Sequence, residues 1–545
     1  MKVPSRLLTL LALATAPATV AWAQEPAGAD VRSVVATARI PWSRWPDLSR
    51  HVDDLARLYQ PRAYAPLWLD AGTLSRPARE AMAQLSGAAL HGLDPGDYDA
   101  AVLDSLGRSV GSVSLQGAAM RFDLLLSVAF VRFLADLHTG RADHAPLSRT
   151  VPDPPQDLAA AVSAAVQGDS VARLAGAVAP RLWQYRKLQM ELARYRRLAA
   201  DSSMPFVPVT HRVRPGDEYD GVLALARRLA ALGDLPPTVT APEPRYAGDL
   251  VEGVRRFQRR HGLTDDGVIG PGTFRALNTP LGHRVRQIEL TLERLRWLPE
   301  LGGYRLVVVN IPAFRLFAFD SVGGTGAPTQ HMRVIVGKAV DTRTPVLVEQ
   351  LRYLEFQPYW NIPRSILVNE LLPQIRRQPG YLRQHGMELV GSGDRVSGDT
   401  VTRAVLDRLA RGELRVRQRP SPHNPLGRVK FVFPNQADVY LHGTPDTSLF
   451  ARDRRDFSHG CIRVERPVDL AAWVLGNQPA WPRDSVEAAM AAKPTRRVLL
   501  SRAVPVVLFY TTAVALPDLG MAFYEDIYGH DRRLDQALRA GHIPP

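Results

Sequence analysis

Apolar residues recur with a helical period through the first part of the chain. Intervals of three and four residues predict amphipathic helices. Four such helices are predicted, at 47–59, 76–90, 120–137 and 181–198. Prolines at 152–155 interrupt the pattern. We therefore predict a helical domain over residues 35–205.

A second, smaller helical unit is predicted over residues 206–282. One helix is expected at 221–232, and a proline-rich stretch follows it. In the next helix Leu250, Val254 and Phe257 fall on one face, and Gly262 ends it before Pro271 opens another. A basic amphipathic helix then ends at Pro299, so residues 283–302 are predicted to be a linker.

From residue 304 the apolar pattern changes to that of β-strands. Strands are predicted at 306–311, 315–319, 332–336, 347–356, 427–433, 437–441 and within 497–515. Residues 370–419 interrupt them with polar, helical sequence. The sequence thus predicts a multidomain α+β protein whose last domain, 303–545, is mostly β with a helical insertion at about 370–425.

The first residues have the features of an export signal. Lys2 and Arg6 precede an apolar run at 7–20, and Ala21-Trp22-Ala23 forms an A-x-A site. We predict a signal peptide over 1–23, with an uncleaved membrane anchor as the alternative, and no transmembrane segment after it. The net charge of +14 attracts polyanions. An anionic cell envelope suits an exported chain better than nucleic acid does.

The chain has a single cysteine, Cys461, so no intramolecular disulfide can form. A thiol becomes a nucleophile when a base or positive potential lowers its pKa. His442, His459 and, more remotely, His423 are the candidate bases. The alternatives are a small buried hydrophobe or a zinc site of His442, His459 and Cys461. Structural zinc usually needs four ligands and paired cysteines, which disfavours that site.

These residues resemble a known family. His442, a spacer over 443–457 and Ser458-His459-Gly460-Cys461 match the signature of the L,D-transpeptidases of bacterial cell walls. In the β domain, further similar stretches are 342–345, 358–366 and 523–531. Residues 250–278 resemble a three-helix peptidoglycan-binding module. The stretches 65–68 and 91–95 resemble the scaffold domain of large Gram-negative members. The resemblance implies a catalytic β-sandwich with a capping subdomain, a periplasmic location, and neither cofactor nor metal.

The resemblance also implies roles for individual residues. Cys461 would attack the diaminopimelate carbonyl of a tetrapeptide stem and release D-alanine, with His442 as general base. The Gly443 carbonyl would fix the imidazole tautomer, and N–H groups from His459 through Gly460 to Cys461 would hold the oxyanion. The expected substrate-binding residues are Ser458, Arg463, Tyr359, Trp360, Asn361 and Thr444. Arg463 could bind a stem carboxylate or instead pair with Glu465, and Tyr359 and Trp360 could wall the cleft or belong to the core.

The expected partners are peptidoglycan tetrapeptide stems as donor and acceptor, with carbapenems as covalent inhibitors and no nucleic acid. An acceptor amine from a second stem would give a 3→3 crosslink. The sequence leaves open a stem or a lipoprotein as acceptor. It also leaves open a carboxypeptidase or amidase of the same fold, and a wall-binding scaffold without catalysis, in which the 206–282 module could merely pack against its neighbours.

Overall fold

The computed structural model describes residues 31–41, 43–110, 116–142, 148–149, 156–238, 244–301, 305–321, 327–378 and 380–540. The predicted signal peptide and its cleavage site lie outside these residues. Every helix within them is too short or too polar to cross a bilayer.

The first domain is helical, as predicted. Its α-helices are Val31–Thr37, Val52–Tyr59, Arg76–Ser86, Ala100–Ser109, Gln116–Thr139, Leu158–Gln167, Leu174–Val178 and Trp183–Ala200, with one short hairpin of Leu69–Asp70 and Thr73–Leu74. The long central helix, Gln116–Thr139, carries the buried Asp123. Its carboxylate accepts from the Tyr59 hydroxyl at 2.6 Å and from the Trp68 N–H at 2.7 Å. The 65–68 motif is therefore anchored to the middle of the core.

The second unit contains the three helices Val222–Leu232, Asp249–Arg260 and Pro271–Asn278, and the linker helix Leu281–Arg296 follows it. Leu250, Val254 and Phe257 are buried together in its core, as predicted. The buried Arg260 donates from Nε to Asp234 of the same unit at 2.8 Å. Its guanidinium also contacts the Met521 carbonyl, which joins this unit to the C-terminal hairpin.

The β domain is built on one large sheet that closes on itself. Its strands are Leu306–Asn310, Arg315–Phe319, Gln330–Gly337, Leu347–Phe356, Val429–Val432, Leu441–His442, Asp456–Ser458, Ile462–Val464 and Arg496–Phe509. Val429–Val432 pairs with Leu441–His442 on one side and with Leu347–Phe356 on the other, which completes the closure. Ser148–Arg149 of the first domain adds a parallel pair to Leu347–Phe356.

Apolar side chains fill the space inside this closed sheet, and two helices, Pro467–Leu475 and Arg483–Ala491, contribute to the same core. The last part of the chain forms the hairpin of Ala513–Leu516 and Gly520–Phe523 and the helix His530–Ala540.

The insertion is not wholly helical, which corrects the prediction. It contains the helices Arg364–Ile366, Leu372–Arg377, Tyr381–Gln384 and Arg403–Arg411, a π-helix at Leu367–Leu371, and the strands Trp360–Asn361, Met387–Val390, Val396–Gly398 and Arg415–Gln418. The four strands form a sheet of their own and pack with the helices around a separate apolar core. Strands of two to four residues give too little alternation to be recognised in sequence. We call residues 360–418 the cap.

The predicted strand at 437–441 is mostly wrong, because only Leu441–His442 is extended in the sheet. Before it the chain makes a turn in which the Asn435 amide donates to the carbonyls of Phe433 and Val439, both at 2.7 Å. Asp438 has a positive φ of 51°. This side-chain hydrogen bonding replaces the strand ladder.

Candidate active site

The strand register places His442 and the residues around Cys461 on one face of the closed sheet. Leu441 pairs with Ile462 in the parallel ladder, and both are buried in the core. His442 pairs with Arg463, so these two side chains point to the opposite face. Cys461, two residues before Arg463, directly precedes the strand and lies one step diagonally from His442, a spacing that long side chains span.

His442 is almost fully buried and is held by its own neighbour. Its Nδ1 lies 2.6 Å from the Gly443 carbonyl oxygen, which is the contact that the resemblance implies. Carbonyl oxygens only accept, so Nδ1 carries the proton and Nε2 is left as an acceptor. Burial, followed by repulsion from Arg463, lowers the pKa of His442 to about 3. The imidazole is therefore neutral at physiological pH.

Cys461 is half-buried beside Tyr440, a residue that the sequence did not single out. Its Sγ lies 3.9 Å from the Asp438 carbonyl oxygen. Burial raises the pKa of the Cys461 thiol. Hydrogen bonds from the Tyr440 backbone N–H and hydroxyl, together with the charge of Lys430, oppose this shift because they favour the thiolate. The Lys430 ammonium in turn lies 3.8 Å from the centroid of the Tyr440 ring. The resting pair is thus a neutral thiol and a neutral imidazole.

The Ser458 side chain holds the turn before the cysteine, which corrects its expected role in substrate binding. It is buried, its Oγ donates to the Cys461 carbonyl at 2.5 Å, and the Gly460 N–H donates to it at 3.2 Å. A buried hydroxyl with these partners is not available to a ligand. The Gly460 N–H already donates to Ser458 Oγ, so it is not the free oxyanion donor that the resemblance implies.

Among the described residues, the backbone N–H groups of His459 and Cys461 donate to no protein acceptor. These two are the donors of the turn that remain for an oxyanion. Gly460 itself has a φ of 114°, a conformation that favours glycine.

A second layer of hydrogen bonds supports the turn from below. Thr344 Oγ1 donates to the Gly460 carbonyl at 2.8 Å, and Thr342 Oγ1 donates to the Ser458 carbonyl at 3.0 Å. The Tyr528 hydroxyl donates to the Gly337 carbonyl at 2.5 Å. The stretches 342–345 and 523–531 were noted in the sequence as family marks, and the structure gives them this supporting position.

Gly427 is a further residue that sequence reasoning missed. Its φ is 63°, and a Cβ at this position would stand 2.7 Å from the Gly443 carbonyl carbon. Real Cβ atoms do not approach backbone so closely, so only glycine lets this loop pack against the group that holds His442.

His459 points away from the sheet toward the cap. Its Nε2 lies 2.7 Å from Glu370 Oε1, and both side chains are partly exposed. Glu370 belongs to the π-helix Leu367–Leu371, a type of element that is frequent at functional sites. The cap therefore contacts the turn that carries Cys461.

Arg463 does not pair with Glu465, so that alternative is wrong. Glu465 instead binds Arg333, with 2.8 Å between its Oε1 and the arginine Nε. Burial lowers the pKa of Arg463, while the charge of Asp446 opposes the shift. Its Nε is buried and has no hydrogen-bond partner within the described part of the chain. A guanidinium in this state has donors to offer to a ligand.

The remaining expected site residues make other contacts. Asn361 and Trp360 pair with Arg417 and Gln418 in the sheet of the cap, and Trp360 packs against the cap core. The Tyr359 ring lies 4.3 Å from the Arg417 guanidinium carbon. Thr444 accepts from the Asp446 N–H at 3.3 Å, in a local turn.

His423 is exposed, and its backbone N–H donates to the Ser421 hydroxyl. Within the residues that the structure describes, no three His, Cys, Asp or Glu side chains are grouped so as to hold a metal ion. The zinc alternative thus has no site there.

Three family models match the chain. Residues 304–498 match the L,D-transpeptidase catalytic domain, residues 53–192 a scaffold domain, and residues 218–277 a domain described as "Putative peptidoglycan binding domain".

A curated protein of Haemophilus influenzae, named "Putative L,D-transpeptidase", is 31% identical over 255 residues, which are 46% of this chain and 49% of that protein. The match thus spans about half the length of this relative. The crystal structure of the L,D-transpeptidase from Xylanimonas cellulosilytica shares 16% identity over 55% of this chain and 99% of that one, with a TM-score of 0.17, too low to establish a shared fold. The chain contains an L,D-transpeptidase catalytic domain, preceded by a scaffold domain and a domain of the peptidoglycan-binding type.

Proposed function

We propose that this protein is a peptidoglycan L,D-transpeptidase of the periplasm that forms 3→3 crosslinks through a thioester on Cys461. The observation that carries the proposal is the neutral His442, fixed by Gly443 on the same sheet face as the cysteine of an L,D-transpeptidase domain. The donor is the tetrapeptide stem, and the acceptor is the diaminopimelate amine of a second stem.

The first step is acylation of the enzyme. His442 Nε2 takes the thiol proton while the sulfur attacks the diaminopimelate carbonyl, so a C–S bond forms as the carbonyl π electrons move to oxygen. The imidazolium then gives its proton to the leaving nitrogen, the amide C–N bond breaks, and D-alanine departs. A raised thiol pKa and a lowered imidazole pKa mean that proton transfer accompanies attack, rather than preceding it as an ion pair.

The charge that develops on the carbonyl oxygen needs donors. The N–H groups of His459 and Cys461 are the candidates, because the Gly460 N–H is bound to Ser458. Loss of one such donor typically costs about 10²–10³ in rate. Hydrogen bonds from Tyr440 to the Cys461 sulfur lower the pKa of the thiol.

The second step transfers the acyl group. The acceptor amine attacks the thioester, His442 takes its proton, and the C–S bond breaks to restore the thiol. Arg463 has unused donors on the same face, and we assign it to a carboxylate of a stem peptide. The energy of the broken amide is kept in the thioester, so the reaction needs no nucleotide.

Water would compete with the acceptor amine, and a cap that touches the cysteine turn through Glu370 can exclude it. A carboxypeptidase would use the same residues with water as acceptor. By the same acylation chemistry, carbapenems would form a stable adduct with Cys461.

The test is to incubate the purified protein with disaccharide-tetrapeptide muropeptides and to analyse the products by tandem mass spectrometry. Transfer predicts dimers with a diaminopimelate-to-diaminopimelate bond and one free D-alanine for each bond. Tripeptide monomers alone would indicate a hydrolase. No product from the wild-type chain would contradict both.

A further inference from the structure

A large cavity lies where the small helical unit, the linker helix Leu281–Arg296 and the β domain meet. It has a volume of about 640 Å³ and is lined by the peptidoglycan-binding-type unit, the linker helix, residues 312–314 and 453–454 of the β domain, and residues between 523 and 535 at the end of the C-terminal hairpin and after it. None of the residues used in the mechanism above lines it. Thr264 of the small unit donates to Asp453 of the catalytic domain at 2.7 Å, so the cavity wall joins the two units.

Arg284 is the most informative residue of the cavity wall. Its guanidinium is buried and donates to Gln287 Oε1 at 2.8 Å and to the Ala276 carbonyl at 3.0 Å, both neutral groups. No carboxylate pairs with it in the part of the chain that the structure describes. Burial and repulsion from Arg260 and Arg228 lower the pKa of Arg284 to about 10, so it is still charged at neutral pH. A buried charge without a counter-charge is costly unless a ligand supplies one.

The other lining charges are mostly paired. Arg275 binds Glu525 at 3.1 Å, and Arg286 binds Asp535 at 2.7 Å. Within the described residues, the side chains of Arg532 and Asp453 take part in no ion pair. Asp453 accepts a hydrogen bond from the Thr264 hydroxyl. Asp526 also lines the cavity without an ion pair in the described part of the chain, and it accepts from the Tyr510 hydroxyl and the Arg532 backbone N–H. The cavity therefore offers two cations, Arg284 and Arg532, and the carboxylates of Asp453 and Asp526, beside apolar groups such as Phe523.

We propose that this cavity binds a peptide that carries both carboxylates and a free amine, the chemistry of a diaminopimelate-containing stem. The carboxylates would bind Arg284 and Arg532, and the amine would bind Asp453. This inference rests on the proposed function, which makes such stems the substrate. The cavity would hold a stem of the wall at a second place, so that the chain stays attached to the strand that it modifies.

The experiment uses the full chain with Cys461→Ala, which binds without turnover, and disaccharide-tetrapeptide muropeptide as probe. Hydrogen–deuterium exchange monitors the cavity wall at Pro271–Asn278 and 523–535 separately from the turn at 457–465. We expect the muropeptide to protect both regions. Amidation of its carboxylates, or use of the disaccharide without peptide, should remove protection of the cavity wall.

Three variants test the residues. Arg284→Gln should weaken protection of the cavity at least ten-fold, since it removes a buried charge whose described hydrogen-bond partners are neutral. Arg532→Glu, at an exposed position, should do the same. Gly272→Phe should fill the cavity, because a Cβ there meets only Leu263 at 3.9 Å. Arg256→Glu, an exposed residue of the same small unit that does not line the cavity, is the matched control and should bind normally.

If Arg284→Gln fails to fold, the other two variants still decide the question. Absence of protection at the cavity wall, or protection unchanged in Arg532→Glu and Gly272→Phe, would overturn the site. Crosslinking by the wild type without any binding at the cavity would count against this inference alone. Binding at the cavity without any transfer product would count against the proposed function alone.

Discussion

Gly427 packs directly against the backbone of Gly443, the residue whose carbonyl oxygen holds His442 Nδ1 at 2.6 Å. The position of the imidazole thus depends on a glycine 15 residues earlier in the chain. The loop that carries Gly427 has no proposed catalytic residue, yet its packing affects the orientation of the proposed general base, His442.

Replacing Gly427 by alanine should therefore lower kcat at least ten-fold. The new Cβ would stand 2.7 Å from the Gly443 carbonyl carbon, at a φ of 63° that alanine adopts at a cost of about 1–2 kcal/mol. Gly520→Ala is the control, because Gly520 has a φ of 75° but open space around it. Steady-state rates and melting temperatures of both variants separate the two effects. Equal rates for the two variants would show that Gly427 does not position His442.

Tyr440→Phe should make the thiol less acidic. The hydroxyl and backbone N–H of Tyr440 both favour the thiolate, and the variant keeps only the second. The pH profile of Cys461 alkylation by iodoacetamide should move to higher pH, and the acylation rate should fall at neutral pH. Tyr353→Phe, whose ring faces Arg497, serves as control. An alkylation profile that did not move would mean that the hydroxyl has no effect on the sulfur.

His442 should make stability depend on pH below neutrality. Its pKa of about 3 in the folded protein lies below the usual 6.5, because burial disfavours the charged form. Between these values the unfolded chain binds a proton that the native state does not, so stability falls as the pH decreases through 6.5 toward 3. The loss approaches about 1.4 kcal/mol per pH unit.

Denaturant unfolding of the wild type and of His442→Asn between pH 7 and pH 4 measures this dependence. Other buried histidines, such as His91 with a pKa of about 4, contribute to both curves. The difference between the two curves isolates His442. Parallel curves would indicate that the imidazole takes up its proton normally in the folded state.

Glu370→Gln should loosen the contact between the cap and the cysteine turn. A neutral amide in place of the carboxylate weakens the interaction with His459 across their 2.7 Å contact. If the cap excludes water, the ratio of hydrolysed to crosslinked product should rise several-fold. Glu413→Gln, at a salt bridge within the cap, is the matched control. An unchanged product ratio would argue that this contact has no part in excluding water.

The sequence identified the candidate catalytic residues more fully than the contacts that hold them. Cys461, His442 and Gly443 belong to one signature that spans residues 442–461, so their association could be predicted. Gly427 and Tyr440 could not, because their roles arise from loop packing and from strand register rather than from a local pattern.

Ser458 was misassigned for a related reason. A serine in a polar turn suggests an exposed hydroxyl, whereas here the turn folds back and buries it beneath the Cys461 carbonyl. The sheet of the cap was missed because its strands are too short to show alternation, while the longer strand Leu347–Phe356 was predicted at its observed bounds.

The most direct test of the central claim is the intact mass of the protein during reaction with tetrapeptide muropeptide. We expect a wild-type species heavier by the donor minus D-alanine, with the modification mapped to Cys461 after digestion, and its decay when acceptor amine is added. Cys461→Ala should show neither the adduct nor the crosslinked product. Crosslinking that persists in Cys461→Ala would contradict the account.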